Sequence, residues 1–366
     1  MKIVADQNMA LARELFDQFG EIQLLPGREI DRHSVRDAQI LLVRSVTQVN
    51  ADLLEGSEIE FVGSATAGTD HIDLDYLAKN NIHFAHAAGC NANAVVQYVL
   101  SSLCYLCPNW QNKTVGILGC GNVGGRLYQY FKKLGVSTLV CDPFLSKSSV
   151  PDLCSFDELL QADILSLHTP LTTEGAHPTY HLFDRQILEQ LNPNAVVINA
   201  ARGGVIDNRA LLRHLQADGD LQVVLDVWET EPNIDTHLLE LVALATPHIA
   251  GYSEQGKTNG STMLLDSLVE RYKLQLQRPV ERYIDASLTQ LQLRCEDINQ
   301  AVLASYDIRE DDKRLRQAVN RSGASVPEVF DQLRKNYPQR KEFSHFRISR
   351  NHPNVRELSI LGFATD

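Results

Sequence analysis

The feature that most constrains the fold is TVGILGCGNVGGRL, residues 114–127. In it Gly119, Gly121 and Gly124 are spaced G-x-G-x-x-G, directly after a strand-like run and at the start of a helix-like one. In that setting the first glycine makes a tight turn, the second lets backbone approach a pyrophosphate, and the third lets helix and strand pack closely. The pyrophosphate would rest on the N-terminus of a helix beginning near Asn122 and Val123, where free N–H groups and the helix dipole favour anions. About twenty residues on, the next strand of such a fold ends in an acid that accepts hydrogen bonds from the adenosine ribose. Asp142, in LVCDP, stands there. An acid repels a 2′-phosphate and no Arg follows at once, so NAD is favoured over NADP. A nucleotide-free fold of the same type, with turn glycines and a capping Asp, is the competing reading.

Before the motif, KIVA (2–5), QLL (23–25), ILLV (40–43) and FVG (61–63) alternate with polar or amphipathic stretches; after it come TLVCD, ILSLH, AVVINA and VVLDVW. Strands alternating with helix-length segments imply parallel sheets covered by helices. Two α/β units in tandem are therefore expected. ANAVVQYVLSSLCYLC (92–107) reads as a buried helix joining them. A later helical stretch, 254–278, is expected to run back across the first unit until Arg278–Pro279 breaks it. The remainder, 281–366, is richer in charge and reads as a separate third lobe.

Composition narrows the setting. No apolar run reaches the ~18 residues that span a bilayer, and the N-terminal residues lack the apolar stretch of an export signal. Seven cysteines, an odd number mostly inside apolar runs, suit buried thiols in a reducing cytoplasm. Cys104 and Cys107 form a C-x-x-C, but without a second pair or a nearby His at ligand spacing no metal site is expected. A net charge of −12 argues against nucleic acid. An anionic substrate would then be held by a few local arginines and backbone amides.

Three later segments each place a reactive side chain just after a strand, at the edge where open α/β sheets bind ligands: Arg202 in NAARGGVID, Glu231 in DVWETEP and His248 in TPHIAGYS. Singly, each has a plain alternative: a surface-loop Arg, a Glu leading into a Pro turn, a strand-end His.

Together with the Gly-rich loop and HTPLT (168–172), these segments resemble the D-isomer-specific 2-hydroxyacid dehydrogenase family over roughly residues 40 to 260. The resemblance implies α/β architecture with two doubly wound parallel-sheet domains. One is a flavodoxin-like substrate lobe, 1–95 with the return helix 254–278; the other is a Rossmann NAD lobe, 96–252; the active site is expected in the cleft between them. It implies His248 as the base that takes the hydroxyl proton while a hydride leaves C2, Glu231 as the carboxylate on the other ring nitrogen, and Arg202 as the clamp on the substrate carboxylate. Thr169, Ala200, Ala201, Arg202 and Gly251 fall on cofactor-lining positions, and Asp226 on the position near the nicotinamide carboxamide, with a cap or turn residue as its alternative. LLVRSVTQVN and FVGSATAGTDHID match the family's substrate loops, so Ser45 and Thr66 would donate to substrate with Arg44 nearby. Tyr252 is similar to the branch acting on 4-phospho-D-erythronate; a core or rim Tyr is the alternative.

YDIREDD (306–312), FDQLRKNYPQR (330–340) and KEFSHF (341–346) resemble the C-terminal α+β dimerisation domain of that branch. The implied substrate is a small phosphorylated hydroxy acid and the implied assembly a homodimer, with basic residues of 334–350 near the partner's cleft. Phosphoglycerate or glyoxylate/hydroxypyruvate reduction and an NAD-sensing interaction protein are the competing functions.

Overall fold

The computed structural model describes residues 1–217, 219–278, 291–321 and 323–366. They form two compact units: Met1–Asn91 with the segment from Ser253, and Ala92–Tyr252 with the segment from Gln290 to Asp366.

In the first unit β1 (Lys2–Asp6), β2 (Glu21–Leu25), β3 (Ile40–Val43), β4 (Phe61–Ser64) and β5 (His83–His86) form an all-parallel sheet in the order β2-β1-β3-β4-β5. This is the flavodoxin-like doubly wound order. Because both faces are covered, the inner strands read as unbroken apolar runs instead of alternating ones. The pleat sends Ile3, Leu42 and Phe61 to one face, against Leu264, Leu265 and Leu268 of the return helix, and Val4, Leu41 and Val62 to the other. The return helix runs Glu254–Tyr272, capped by Ser253, whose hydroxyl accepts from Gly256 N–H. It stops short of the expected 278 because Lys273 takes a left-handed conformation, φ 51°. Pro279, the expected breaker, lies outside the described residues. Strand β5 escaped the sequence reading because HFAH carries two histidines and no apolar alternation.

The second unit opens with α1 (Ala92–Leu106), followed by β6 (Val115–Leu118), α2 (Asn122–Leu134), β7 (Thr138–Cys141), β8 (Ile164–Leu167), β9 (Val196–Asn199), α3 (Asn208–Gln216), β10 (Gln222–Leu225) and β11 (Leu244–Ala245). Its sheet is parallel, ordered β11-β10-β9-β8-β6-β7, with a further bridge from Val140 to Leu153 beyond β7. Strand β6 is flanked by β7 and β8, so the winding reverses there, and the crevice at such a switch point is where open α/β sheets take ligands. Gly119 follows β6 directly.

Residues 291–366 add α4 (Ile298–Ser305), α5 (Ile308–Arg321), α6 (Val326–Lys335) and a small parallel sheet of β12 (Leu291–Gln292), β13 (Phe346–Ile348) and β14 (Ala364–Thr365). The α+β content matches expectation, and by their packing these residues group with the Rossmann unit. The reason is α1, whose residues are buried almost all round from Ala92 to Cys104. A helix apolar on every side needs cover on every side. Tyr98, Leu103 and Trp110 therefore share one core with Leu127 and Phe131 of α2 and with Ile298, Val302, Phe346 and Leu361 of the C-terminal part. For the same reason the first boundary falls at Asn91, ahead of 95. Residues 279–290, where the expected boundary falls, lie outside the described residues.

All seven cysteines are free. Burial pushes the Cys104 thiol up to about 12, leaving the C-x-x-C without a reactive thiolate at that position. Among the described residues no helix is long and apolar enough to cross a membrane.

Candidate active site

The Gly-rich loop is built as its spacing predicts. Gly119 has φ +84°, and a Cβ there would meet the His168 carbonyl oxygen at 2.9 Å. A Cβ on Gly124 would meet the Gly119 carbonyl oxygen at 1.9 Å, so α2 can lie against the end of β6 only without one. Around Gly121 a Cβ meets nothing within 4 Å, leaving backbone open to a ligand. Asn122 begins α2 with Val123 behind it, and Gly121 is the N-cap without any side chain to satisfy the first-turn N–H groups. Asp142, at the end of β7, accepts from Cys120 N–H at 2.9 Å and from Phe144 N–H at 3.0 Å, which fixes its carboxylate beside the loop. Thr169 follows β8, and its hydroxyl oxygen is buried with no hydrogen-bond partner. A buried hydroxyl without a partner is costly unless something fills the site. An open second glycine, an uncapped helix N-terminus, a ribose-type acid and that hydroxyl together fit a dinucleotide.

The expected catalytic pair is assembled by two turns after neighbouring strands. His248 Nδ1 lies 2.5 Å from Glu231 Oε1, and Glu231 Oε2 accepts from Trp228 N–H at 3.2 Å. Burial alone would push the Glu231 carboxyl up, but the His248 hydrogen bond and charge, the Trp228 amide and the Arg334 charge outweigh it and hold it below the ordinary carboxylate range. His248 sits at φ +56°, a left-handed conformation that is uncommon outside glycine. Something must hold it there, and that is Asp226. Its backbone carbonyl accepts from His248 N–H at 2.7 Å; its carboxylate accepts from Thr246 Oγ1 at 2.6 Å, Ile249 N–H at 2.7 Å and Ala250 N–H at 2.9 Å. Tyr98 of α1 extends the chain, its hydroxyl 2.8 Å from Thr246 Oγ1. Asp226 is 1% exposed, so the role visible for it is shaping the His248 turn.

Asn199 performs the same service for Arg202. Its Oδ1 accepts from Ala201 N–H at 3.1 Å and its Nδ2 donates to the Arg202 carbonyl at 2.9 Å, so Ala200, Ala201 and Arg202 form a fixed loop after β9. One Arg202 guanidinium nitrogen donates to the Ala201 carbonyl at 2.8 Å. Gly251 follows Ala250, whose carbonyl accepts from Arg340 at 3.1 Å. Arg340 is buried, donates also to the Ala94 carbonyl and to Gln97, and stacks 3.7 Å from the Tyr306 ring centroid. Its donors are thus spent on groups of its own chain.

Sequence reasoning missed a second His–carboxylate group. His181 Nε2 lies 2.6 Å from Glu229 Oε1 and its Nδ1 3.8 Å from Asp207 Oδ2. This is the metal-type cluster found among the described residues. The other oxygen of each carboxylate is committed elsewhere: Asp207 Oδ1 caps α3 by accepting from Ala210 N–H, and Glu229 Oε2 accepts from Asn208 N–H. His181 N–H donates to the Gly204 carbonyl at 2.8 Å, so the group pins the Arg202 loop to the Glu231 loop. No sequence motif signals it.

In the first unit Arg44, after β3, donates Nε to the buried Asp6 at 3.0 Å. Ser45 beside it is exposed. Thr66, after β4, lies 2.8 Å from Ser64 Oγ, which lies 3.0 Å from His71 Nε2. The three substrate residues expected in this unit thus stand at the carboxyl ends of β3 and β4. Lys257 of the return helix joins them: desolvation and then the Arg44 charge push its ammonium pKa down, so two cations stand near each other.

A family model described as the D-isomer specific 2-hydroxyacid dehydrogenase NAD binding domain matches residues 93–250, and one for a domain of unknown function matches 279–362. Erythronate-4-phosphate dehydrogenase of Saccharophagus degradans is 46% identical, covering 98% of this chain and 97% of its own. That of Teredinibacter turnerae is 46% identical over 100% and 99%. The chain belongs to the erythronate-4-phosphate dehydrogenase family. Among solved structures, an NAD-bound 3-phosphoglycerate dehydrogenase of Entamoeba histolytica aligns with this chain at TM-score 0.64 and 23% identity, over 78% of this chain and 96% of that one. A D-2-hydroxyisocaproate dehydrogenase aligns at TM-score 0.64 and 23% identity, over 76% and 98%. Neither covers the whole chain, consistent with a C-terminal part that these neighbours do not share.

Proposed function

We propose that the chain oxidises 4-phospho-D-erythronate to 2-oxo-3-hydroxy-4-phosphobutanoate with NAD, a step of vitamin B6 (pyridoxal 5′-phosphate) biosynthesis. The observation that carries the reading is the 2.5 Å contact between His248 Nδ1 and Glu231 Oε1. With Nδ1–H donated to the carboxylate, Nε2 is the nitrogen left to act as base. It takes the C2 hydroxyl proton, and the neighbouring carboxylate stabilises the imidazolium that results. NAD, when bound, supplies the acceptor for the hydride leaving C2. Arg202 holds the substrate carboxylate with two parallel N–H donors and polarises the C2 oxygen. Gly119, Gly121, Asn122, Val123, Gly124, Asp142, Thr169, Ala200, Ala201 and Gly251 hold the cofactor, and Asp226 positions the base. Arg44, Ser45, Thr66 and Tyr252 are assigned to substrate on the family pattern.

The same pattern supports a homodimer formed through the C-terminal domain, residues 281–366. Seven free thiols suit the cytoplasm. The test is reduction of NAD, free or retained on the protein, with 4-phospho-D-erythronate and 3-phosphoglycerate in parallel. A clear preference for the erythronate ester is expected. Preference for 3-phosphoglycerate would overturn the substrate and keep the mechanism; no reduction with either would overturn both.

A further inference from the structure

Resting on that reading, we infer that Arg334, on α6 of the C-terminal part, is the cation that binds the phosphate of the substrate. Its guanidinium carbon lies 6.0 Å from the ring centroid of Tyr252, four residues after His248. Tyr252 is itself braced edge-on by Tyr337, ring centroids 5.6 Å apart. Arg334 Nε is buried and has no hydrogen-bond partner, and among the described residues no ion pair is formed by its guanidinium. By contrast Arg314 and Arg316 on α5 pair with Asp311 and Asp312, and Arg340 is committed to backbone carbonyls.

A buried guanidinium nitrogen without an acceptor is an unfavourable arrangement, and it stands beside three arginines that do have acceptors. It becomes favourable once an anion with several acceptor oxygens arrives, because Arg–phosphate contacts are charge-assisted and can be bidentate. The location is suited to such an anion. Arg334 lies close enough to Glu231 for its charge to help hold that carboxyl ionised, which places it within electrostatic reach of the reacting pair without touching it. Arg202, next to the cofactor loops, takes the carboxylate end of a four-carbon acid. A second cation displaced toward Tyr252 meets the other end. The C-terminal part thereby does more than complete the core around α1: it carries a group that distinguishes a phosphorylated acid from a plain one.

The experiment compares Arg334→Gln and Arg334→Lys with the native chain, using 4-phospho-D-erythronate and unphosphorylated D-erythronate. The ratio of kcat/KM for the phosphorylated over the plain acid is expected to fall at least tenfold in Arg334→Gln, through KM, and to recover partly in Arg334→Lys. An equal loss with both acids would overturn the inference, since it would mean that Arg334 acts only through Glu231; an unchanged ratio would overturn it too. Calorimetric titration of the NAD-loaded protein with inorganic phosphate separates this from the function itself. If the native chain fails to oxidise the erythronate ester, phosphate binding that is lost in Arg334→Gln still supports the site, and equal titration of both proteins removes it.

Discussion

A Cβ on Gly203 would lie 2.0 Å from the carbonyl carbon of Trp228. The loop after β9, which carries Arg202, and the loop after β10, which carries Glu231, therefore touch backbone to backbone. Gly203→Ala must part them. We expect a stability loss of about 1–3 kcal/mol from overpacking and a fall in kcat/KM of at least tenfold, read by urea midpoint and steady-state rates. A variant with native kinetics would show that the registration of these loops is unimportant.

Removing the charge of Glu231 tests the catalytic pair. In Glu231→Gln the imidazolium loses its carboxylate, so kcat for oxidation should fall roughly 10²–10⁴-fold, and the acid limb of the pH–rate profile should move to lower pH. The native carboxyl is held below its ordinary range. Its contribution to stability is therefore complete above the unfolded value and is lost only as pH falls through the lower folded one. A profile whose acid limb stays in place would argue against Glu231 as the partner of the base.

Asp226→Asn replaces an acceptor of three donors, Thr246, Ile249 and Ala250, with a group that turns an N–H toward one of them. The cost should be about 1–3 kcal/mol for the unsatisfied donor, together with a marked loss of kcat because His248 is no longer held at its left-handed φ. Binding of NAD to a variant that remains folded, followed by fluorescence, separates positioning of the base from contact with the cofactor. Near-native NAD affinity fits the positioning role, whereas a loss as large as that of kcat would restore the cofactor-contact role.

For the cofactor, Asp142→Ala should raise KM for NAD about tenfold, the equivalent of ~1.4 kcal/mol, and narrow the preference over NADP. Unchanged discrimination would place the ribose elsewhere.

Much of this was legible in the sequence because parallel strands covered on both faces are continuous apolar runs, and because loop chemistry at the ends of β6, β9 and β10 is written in short motifs. Gly119, Gly124, Arg202, Glu231 and His248 all stand where those motifs put them. What was not legible depends on distant packing. Nothing local in ANAVVQYVLSSLCYLC reveals that its far face is covered by Ile298 and Phe346. His181 and Glu229 lie 48 residues apart and meet only in the fold, and of the readings open for Asp226, a place near the nicotinamide carboxamide or a cap or turn residue, only the fold displays the turn it holds.

His168 gives a pH test remote from turnover. Desolvation lowers its ring to about 4, against 6.5 for an ordinary histidine. Between those values the unfolded chain binds more protons than the folded one, so stability falls as pH drops from 6.5, by up to about 3 kcal/mol at the lower end. His168→Asn should flatten the part of the curve between pH 6.5 and 5 in urea titrations. An identical slope in both proteins would count against the assignment.

The return helix has a consequence for biosynthesis. Leu264, Leu265 and Leu268 close one face of the first sheet, yet they are translated more than 150 residues after β5. Until then Ile3, Leu42 and Phe61 have no cover on that side. Domains generally fold as units, and exposed apolar surface in the interim invites aggregation. The nascent first unit therefore has to wait for the inserted Rossmann segment, and a truncation ending near residue 250 should be found with chaperones or in the insoluble fraction.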